Sequence, residues 1–146
     1  MKNGFDSSNF SVTPHEKRVE KPWGYEIIYT PDDAPATGKI LHANAGKRLS
    51  LQYHDEKIET LCLIKGEGII TLTDNTGNEV DVPMKMHGGY YVVPGQVHRV
   101  TAVTDMEFIE ASTPETGNTF RVQDDSNRPT ETEEMRKMEN RGWRQR

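Results

Sequence analysis

The chain of 146 residues contains a single cysteine, Cys62, which excludes an internal disulfide and is typical of a reducing compartment. It contains no apolar run near the roughly 20 residues that a membrane-spanning helix needs. Its N-terminus has no apolar segment of the kind found in signal peptides. Basic residues are not in excess, because 18 lysines and arginines face 23 acidic residues and leave a net charge of -5. This balance argues against nucleic-acid binding through phosphate contacts. We therefore expect a soluble, cytoplasmic protein without a nucleic-acid or membrane partner.

Hydrophobic residues are also scarce, at 33% of the chain. A chain of this length can still bury the core of one domain. So low an apolar fraction favours a small barrel or sandwich with polar ends over a leucine-rich helical protein. Short β-prone segments are separated by turn signals, among them residues 74–77, 88–89 and 94–95. This pattern predicts an all-β sandwich or barrel with no helix before residue 130.

Composition divides the chain into three regions. Residues 1–18 are polar and aperiodic, and we expect a flexible N-terminal arm. Residues 19–128 carry the β-prone segments and predict the barrel. Residues 129–146 form a charged C-terminal tail, in which acidic and basic residues four apart predict a short helix. The tail has few apolar side chains for docking, namely Met135, Met138 and Trp143. We therefore expect the tail to be only marginally stable.

The densest group of polar side chains lies in the first half of the chain. In a strand, successive side chains alternate between faces, so Gln52 and His54 point the same way. Glu59 lies an odd number of residues beyond His54, and one continuous strand would turn it away. The polar run between them is interpreted as a turn that resets the register. Lys57, within that run, is interpreted as an ordinary turn charge.

Imidazole, carboxylate and amide oxygen at one place suit a divalent first-row metal ion, provided that another ligand comes from elsewhere. His98, just after a Pro-Gly turn, is the best candidate for that ligand. The absence of a thiolate from this set favours zinc, manganese, iron, cobalt or nickel over copper(I). The sequence therefore predicts one divalent metal ion bound by Gln52, His54, Glu59 and His98.

The spacing of these residues resembles the first cupin motif. The matching positions are Gly46, Gln52, His54, Glu59 and Gly66, with glutamine where many cupins have a histidine. A second, looser motif is matched by residues 94–98. The resemblance implies a single cupin (double-stranded β-helix, jelly-roll) barrel over residues 19–128, followed by the short helical tail.

Within the cupins, the chain resembles the cupin domain of type II mannose-6-phosphate isomerases, and we expect a stand-alone module. The resemblance covers about residues 19–128. The matching residues are a Pro-Trp-Gly segment at 22–24, then Lys39, Ser50, Leu51, Gln52, His54, Glu59, Arg121, Asp124 and Arg128. Lys57 stands where an arginine is usual in the motif. Ser126 and Asn127 replace a Tyr-Gly pair.

This resemblance implies a metal-dependent sugar-phosphate isomerase that converts an aldose phosphate into a ketose phosphate through an enediolate. It implies substrate binding by Lys39, Ser50, Arg121 and Arg128, because the planar fork of arginine suits phosphate or carboxylate. Lys39 and Arg121 are also candidate catalytic residues. Glu110 is a candidate general base if its side chain points into the barrel. An outward or hydrogen-bonded glutamate is the alternative.

Other functions are compatible with the same ligand set, since cupins carry many unrelated activities. One is an iron-dependent cupin dioxygenase. Another is a sugar-binding or regulatory module that keeps the metal and has lost the chemistry. A third is an isomerase or epimerase of a free or nucleotide-linked sugar. We expect a small-molecule sugar or sugar phosphate as the partner, and a homodimer, because pairing of sheets covers edge strands.

Overall fold

A computed structural model describes residues 3–144 of the chain, and within this range the protein is built mostly from β-strands. The strands are β1 (Lys17–Lys21), β2 (Gly24–Ile28), β3 (Thr37–Ala43), β4 (Leu51–His54), β5 (Glu59–Lys65), β6 (Gly68–Thr73), β7 (Glu79–Pro83), β8 (Gly89–Val92), β9 (His98–Ala102), β10 (Met106–Ser112) and β11 (Thr119–Gln123). A one-turn helix, α1 (Glu133–Arg136), and a 3-10 turn (Glu139–Gly142) follow the last strand. The prediction of an all-β fold with a short helical tail is therefore confirmed. No helix in residues 3–144 is long and apolar enough to cross a lipid bilayer.

The strands form two antiparallel sheets. The first sheet has the strand order β1-β2-β3-β10-β5-β8, and the second has the order β11-β4-β9-β6-β7. The predicted hairpin at residues 74–77 joins β6 to β7, and the two strands pair from Thr73↔Glu79 to Ile69↔Pro83. Consecutive strands β4 and β5 belong to different sheets, so the turn between them crosses from one sheet to the other. That crossing places Glu59 on the first sheet, whereas the other three predicted ligands lie on the second sheet.

Side chains alternate between the interior and the outer surface along the central strands, as expected of sheets that cover a core with one face. In β5, Glu59, Leu61 and Leu63 are buried, and the residues between them are half-buried. The apolar core includes Trp23, Leu41, Leu61, Leu63, Ile70, Val100, Met106 and Phe108. The inward series of β3, β5 and β10 also contains charged residues, and these carry the site described below.

The structure extends the ordered part of the chain beyond the predicted barrel segments. Strand β1 begins at Lys17, and β11 forms over a segment for which no strand was predicted. The tail is joined to the barrel by two backbone hydrogen bonds between Thr119 and Glu131, of 3.0 and 2.9 Å. Thr132 caps α1 by accepting a hydrogen bond from the backbone N–H of Met135. The division into arm, barrel and tail stays a prediction, and the first two and last two residues lie outside the described range.

Candidate metal centre

Three of the four predicted metal ligands meet inside the barrel. His54 ends β4, Glu59 begins β5 on the other sheet, and His98 begins β9 next to β4. Each of the three residues is only 2% exposed. One ligand atom from each lies within 4.8 Å of the other two. The register reset that the sequence predicted between His54 and Glu59 is therefore present, and it results from the crossing between sheets.

Each histidine is oriented by a hydrogen-bond partner behind its ring. Nδ1 of His98 lies 2.9 Å from the carbonyl oxygen of Gln96, so a proton on Nδ1 is donated to that carbonyl and Nε2 keeps a free lone pair. Nδ1 of His54 lies 2.9 Å from the hydroxyl of Thr119. Such second partners are typical of metal-ligating histidines, because they fix the tautomer and the direction of the ring.

The ligand atoms of this group face one another. Oε1 of Glu59 lies 3.3 Å from Nε2 of His54 and 2.8 Å from Nε2 of His98. The close approach to His98 does not have the geometry of a hydrogen bond, and this buried nitrogen has no hydrogen-bond partner among the described residues. Two imidazole nitrogens and a carboxylate oxygen thus converge on one point. This donor set fits a divalent first-row metal ion.

The electrostatic environment favours the deprotonated forms of His54 and Glu59. Burial lowers the pKa of His54, and the neighbouring charge of Lys57 adds to that effect. Burial alone would raise the pKa of Glu59, but Lys57 and the two histidines outweigh it and hold the pKa well below its usual value. Metal ions bind neutral imidazole and ionised carboxylate, so the directions of these two pKa shifts match the proposed ligand roles of His54 and Glu59.

Gln52 lies beside the three converging residues. Its backbone pairs with that of His98 in β9 and with that of Arg121 in β11. Its Oε1 accepts a hydrogen bond of 2.8 Å from the hydroxyl of Ser50. Gln52, Ser50 and His54 line the same small cavity. The structure thus brings Gln52 to the site, and its role as a fourth ligand stays a prediction.

Lys57 is buried at the site, so its interpretation as a turn charge is wrong. The residue is 7% exposed. Its ammonium nitrogen lies 3.1 Å from Oε2 of Glu59 and 3.0 Å from Oε2 of Glu110. A buried charge requires a partner of opposite sign, and this lysine serves two carboxylates at once. The only signal in the sequence was its place at a motif position where arginine is usual.

Glu110 points into the barrel, as a role in catalysis requires. It is 5% exposed and belongs to the inward series of β10. Burial raises its pKa to about 7, and the nearby carboxylate of Glu59 also raises it, while Lys57 and Lys39 act in the opposite direction. A carboxyl group with a pKa near neutrality is suited to accept and return protons at physiological pH.

Lys39, a predicted substrate-binding and catalytic residue, contacts only carboxylates of the protein itself among the described charged groups. Its ammonium nitrogen lies 2.9 Å from Glu115, 3.4 Å from Glu26 and 4.0 Å from Glu110. The residue is 3% exposed. Its charge is therefore neutralised without a substrate, and its predicted roles stay predictions.

Arg121 and Arg128 line two cavities, one inside the barrel and one at its mouth. The inner cavity of about 50 Å³ also contains His54, Lys57 and Glu110. The outer pocket of about 960 Å³ is bounded by residues 126–129 and by the end of the C-terminal tail. Both arginines thus lie where a ligand in the outer pocket could reach them.

The two arginines differ in their hydrogen bonds. Arg128 forms a bidentate pair with the carboxylate of Asp124, with both nitrogen–oxygen distances at 3.0 Å. The guanidinium of Arg121 donates hydrogen bonds of 2.6 Å to the carbonyl of Pro129 and 3.5 Å to the carboxylate of Glu131. Its Nε is buried without a hydrogen-bond partner among the described residues. Of the two, Arg121 retains a donor for a ligand.

Sequence reasoning missed the rest of the buried charge network. Its members are Lys21, Glu26, Glu115, Glu131 and Arg141. Burial alone would raise the pKa of Glu26, but Lys21, Lys39 and Arg141 outweigh it and lower the pKa to about 2. The pKa of Glu131 is likewise about 2, because Arg141, Lys21 and Lys39 outweigh its burial. No motif marks these residues, since each is an ordinary charge in its local sequence.

No protein-family model matches the sequence, and no curated protein does so significantly. Solved structures match it by shape. The capsular polysaccharide assembling protein CapF from Staphylococcus aureus has a TM-score of 0.58 and 17% sequence identity, over 86% of this chain and 33% of CapF. Oxalate decarboxylase from Bacillus subtilis at pH 4.6 has a TM-score of 0.61 and 22% identity, over 75% of this chain and 30% of the decarboxylase.

The chain thus spans about a third of the length of these structural neighbours. Both neighbours have a cupin-like fold. Similarity at these identities establishes the fold and leaves activity and substrate open. The narrower resemblance to mannose-6-phosphate isomerases stays a prediction. With its two antiparallel sheets and its converging His-Glu-His group, this chain has the cupin fold.

Proposed function

We propose that this protein is a metal-dependent isomerase that interconverts an aldose phosphate and a ketose phosphate, of the mannose 6-phosphate type. The observation that carries the proposal is the contact between the metal-ligand group and a buried acid–base pair. Lys57 lies 3.1 Å from the ligand Glu59 and 3.0 Å from Glu110. Lys57 and Glu110 line the same cavity as His54. A sugar bound there would meet the ligand group and a proton acceptor together.

Isomerisation moves a proton from C2 of the sugar to C1. Glu110, with a pKa of about 7, is suited to remove the C2 proton as a carboxylate. The electron pair of the broken C–H bond then forms a C1=C2 double bond, and the oxygen of the C1 carbonyl gains negative charge. The proton of the C2 hydroxyl moves to the C1 oxygen, so that a carbonyl forms at C2 and a hydroxyl at C1. Glu110 returns its proton to C1, which gives the ketose and restores the carboxylate. No external oxidant or reductant is required.

The remaining residues of the site would bind the metal ion and the sugar and orient Glu110. His54, Glu59 and His98, with Gln52 beside them, would hold a divalent metal ion, which supplies Lewis-acid stabilisation of negative charge on substrate oxygens. Lys57 holds Glu110 in place and offsets its charge. The unpartnered Nε of Arg121 would bind the anionic end of the sugar.

The test is exchange of the C2 proton with solvent. Metal-loaded protein is incubated in D₂O with a panel of aldose and ketose phosphates, and deuterium at C2 and formation of the isomer are followed by NMR. We expect Glu110→Gln to lower the rate about 10²–10⁴-fold with unchanged metal content. Glu107→Gln, on the same strand and more exposed, is the matched control and should retain the rate. Absence of both exchange and isomer formation for every sugar phosphate, or an undiminished rate in Glu110→Gln, would contradict the proposal.

The size of the inner cavity favours a second candidate function. Ligand pockets for small molecules measure about 300–1,000 Å³. The inner cavity has about 50 Å³, whereas the outer pocket has about 960 Å³. A sugar-binding module would use the outer pocket alone. Calorimetric binding of a sugar phosphate without any C2 exchange would favour this candidate.

A further inference from the structure

The end of the C-terminal tail lies between the two cavities. Arg141 lines both the inner cavity and the outer pocket, and it is only 9% exposed. Glu110 and His54 line the inner cavity. The side chain of Arg141 therefore lies at the boundary between the outer pocket and the inner cavity, together with Lys21, Arg121 and Arg128, which also line both.

Arg141 is held in this wall by carboxylates. Its guanidinium donates hydrogen bonds of 2.7 Å to Glu115 and 3.0 Å to Glu131, and its Nε lies 3.7 Å from Glu26. The preceding helix α1 contributes no buried residue. The tail is therefore held at this point mainly by charge-assisted contacts, which another anion could replace.

The backbone at this point is strained. Asn140 (φ 45°, ψ 31°) and Arg141 (φ 54°, ψ 38°) both adopt the left-handed conformation, which side chains with a Cβ atom disfavour. Gly142 follows with φ 84°. Two consecutive non-glycine residues in this region persist only when surrounding contacts hold them. The contacts here include those of the Arg141 guanidinium and the hydrogen bond of 2.8 Å from the backbone N–H of Glu20 to the side-chain oxygen of Asn140. Two backbone hydrogen bonds of the turn, from Arg141 to Met138 and from Trp143 to Asn140, add to them.

The outer pocket is suited to an anionic ligand. Among the described residues, its lining contains one acidic residue, Glu20, and five basic residues. The basic residues are Lys21, Arg121, Arg128, Arg141 and Arg144. The side chain of Arg121 is only 6% exposed, and its Nε has no partner among the described residues. A phosphate or carboxylate group in this pocket would meet both Arg121 and Arg141.

We propose that Arg141 is a removable plug between the outer pocket and the metal-ligand cavity, and that an anionic group bound in the outer pocket draws it away from its carboxylates. Such a group competes with Glu26, Glu115 and Glu131 for the same guanidinium. When Arg141 leaves this position, the outer pocket and the inner cavity become continuous, and a sugar-sized ligand can reach His54. This inference rests on the proposed function in one respect, since it takes the inner cavity as the place where the ligand binds.

The experiment measures access to His54 in the metal-free protein. Diethyl pyrocarbonate modifies accessible imidazoles, and peptide mass spectrometry gives a rate for each histidine. His15 and His87 are exposed and calibrate the reagent. His42, on the outer face of the first sheet and stacked on Tyr25, reports loosening of the whole fold.

Three variants distinguish a specific role of Arg141 in blocking access to His54 from a general effect of charge in the tail. Arg141→Ala should raise the His54 rate at least tenfold and leave the His42 rate unchanged. Arg141→Lys should fall between Arg141→Ala and wild type, because lysine keeps the charge and loses the bidentate geometry. Lys137→Ala removes an exposed cation of the same tail and should match wild type.

The release of Arg141 by an anionic group is tested with inorganic phosphate as the probe. Phosphate should raise the His54 rate of wild type severalfold over sodium chloride at equal ionic strength, and it should have no further effect on Arg141→Ala. An unchanged His54 rate in Arg141→Ala, or a parallel rise at His42, would overturn the plug. If phosphate and chloride had equal effects on the His54 rate, the release of Arg141 by a bound anionic group would be overturned. The assay needs neither metal nor sugar, so its failure is distinct from a failure of C2 exchange.

Discussion

Replacement of Lys57 by methionine should destabilise the metal-free protein by about 3–5 kcal/mol at neutral pH, the range for breaking a buried ion pair. Methionine fills much of the space of the lysine stem and removes the ammonium group. That group lies 3.1 Å from Glu59 and 3.0 Å from Glu110, and the lysine is 7% exposed. Burial alone would lower the pKa of Lys57, but the surrounding carboxylates raise it well above its usual value. The charged form is therefore the one that the folded protein favours.

Part of this cost is relieved when Glu110 binds a proton, because its pKa is already about 7. A domain of this length loses roughly 2–4 °C of Tm per kcal/mol, so the Tm should fall by about 6–20 °C. Urea titration and thermal melting followed by circular dichroism measure both quantities. Lys65→Met, at the exposed end of β5, is the matched control and should change stability by no more than about 0.5 kcal/mol. If Lys57→Met proved as stable as this control, the account of a paired, buried lysine would be refuted.

Two further predictions concern protonation of Glu26 and Glu131 at low pH and the hydroxyl group of Thr119 that contacts His54. The pKa values of Glu26 and Glu131, both about 2, lie below the ordinary 4.5, so the stabilisation they provide should be lost as the pH falls from 4.5 towards 2. Glu26→Gln should show a shallower loss of Tm over that interval, and an identical profile would contradict the assignment. Thr119→Val removes the hydroxyl that lies 2.9 Å from Nδ1 of His54 and should weaken metal binding about 10–100-fold in competition with a chelator. Unchanged affinity would show that this contact does not orient the ligand.

The convergence of His54, Glu59 and His98 could be predicted because it depends on local rules. Strand alternation puts Gln52 and His54 on one face, and a polar turn allows Glu59 to return to that face. His98 follows a Pro-Gly turn that ends a strand. The structure brings His54, Glu59 and His98 together as the pattern indicated. The expected homodimer and cytoplasmic location stay predictions.

The charge network could not be predicted, because its contacts join segments that are distant in the sequence. Lys57 looks like any exposed lysine of a polar turn until Glu110 is placed opposite to it. The tail offered few apolar side chains, and this suggested a marginal segment. Arg141 instead docks through Glu115 and Glu131, and no periodicity or spacing marks such a contact. Burial of paired charges is decided by the tertiary arrangement alone.

The most direct test of the central claim is the metal content of protein purified without a histidine tag and reconstituted separately with zinc, manganese, iron, cobalt and nickel. His98→Ala and Glu59→Gln remove two of the converging ligands, and His87→Ala removes an exposed histidine as the control. The account predicts about one ion per chain in wild type and in His87→Ala, and less than about a tenth of that in the two ligand variants. Wild-type protein that binds none of the five metals, or ligand variants that bind as much as wild type, would contradict it.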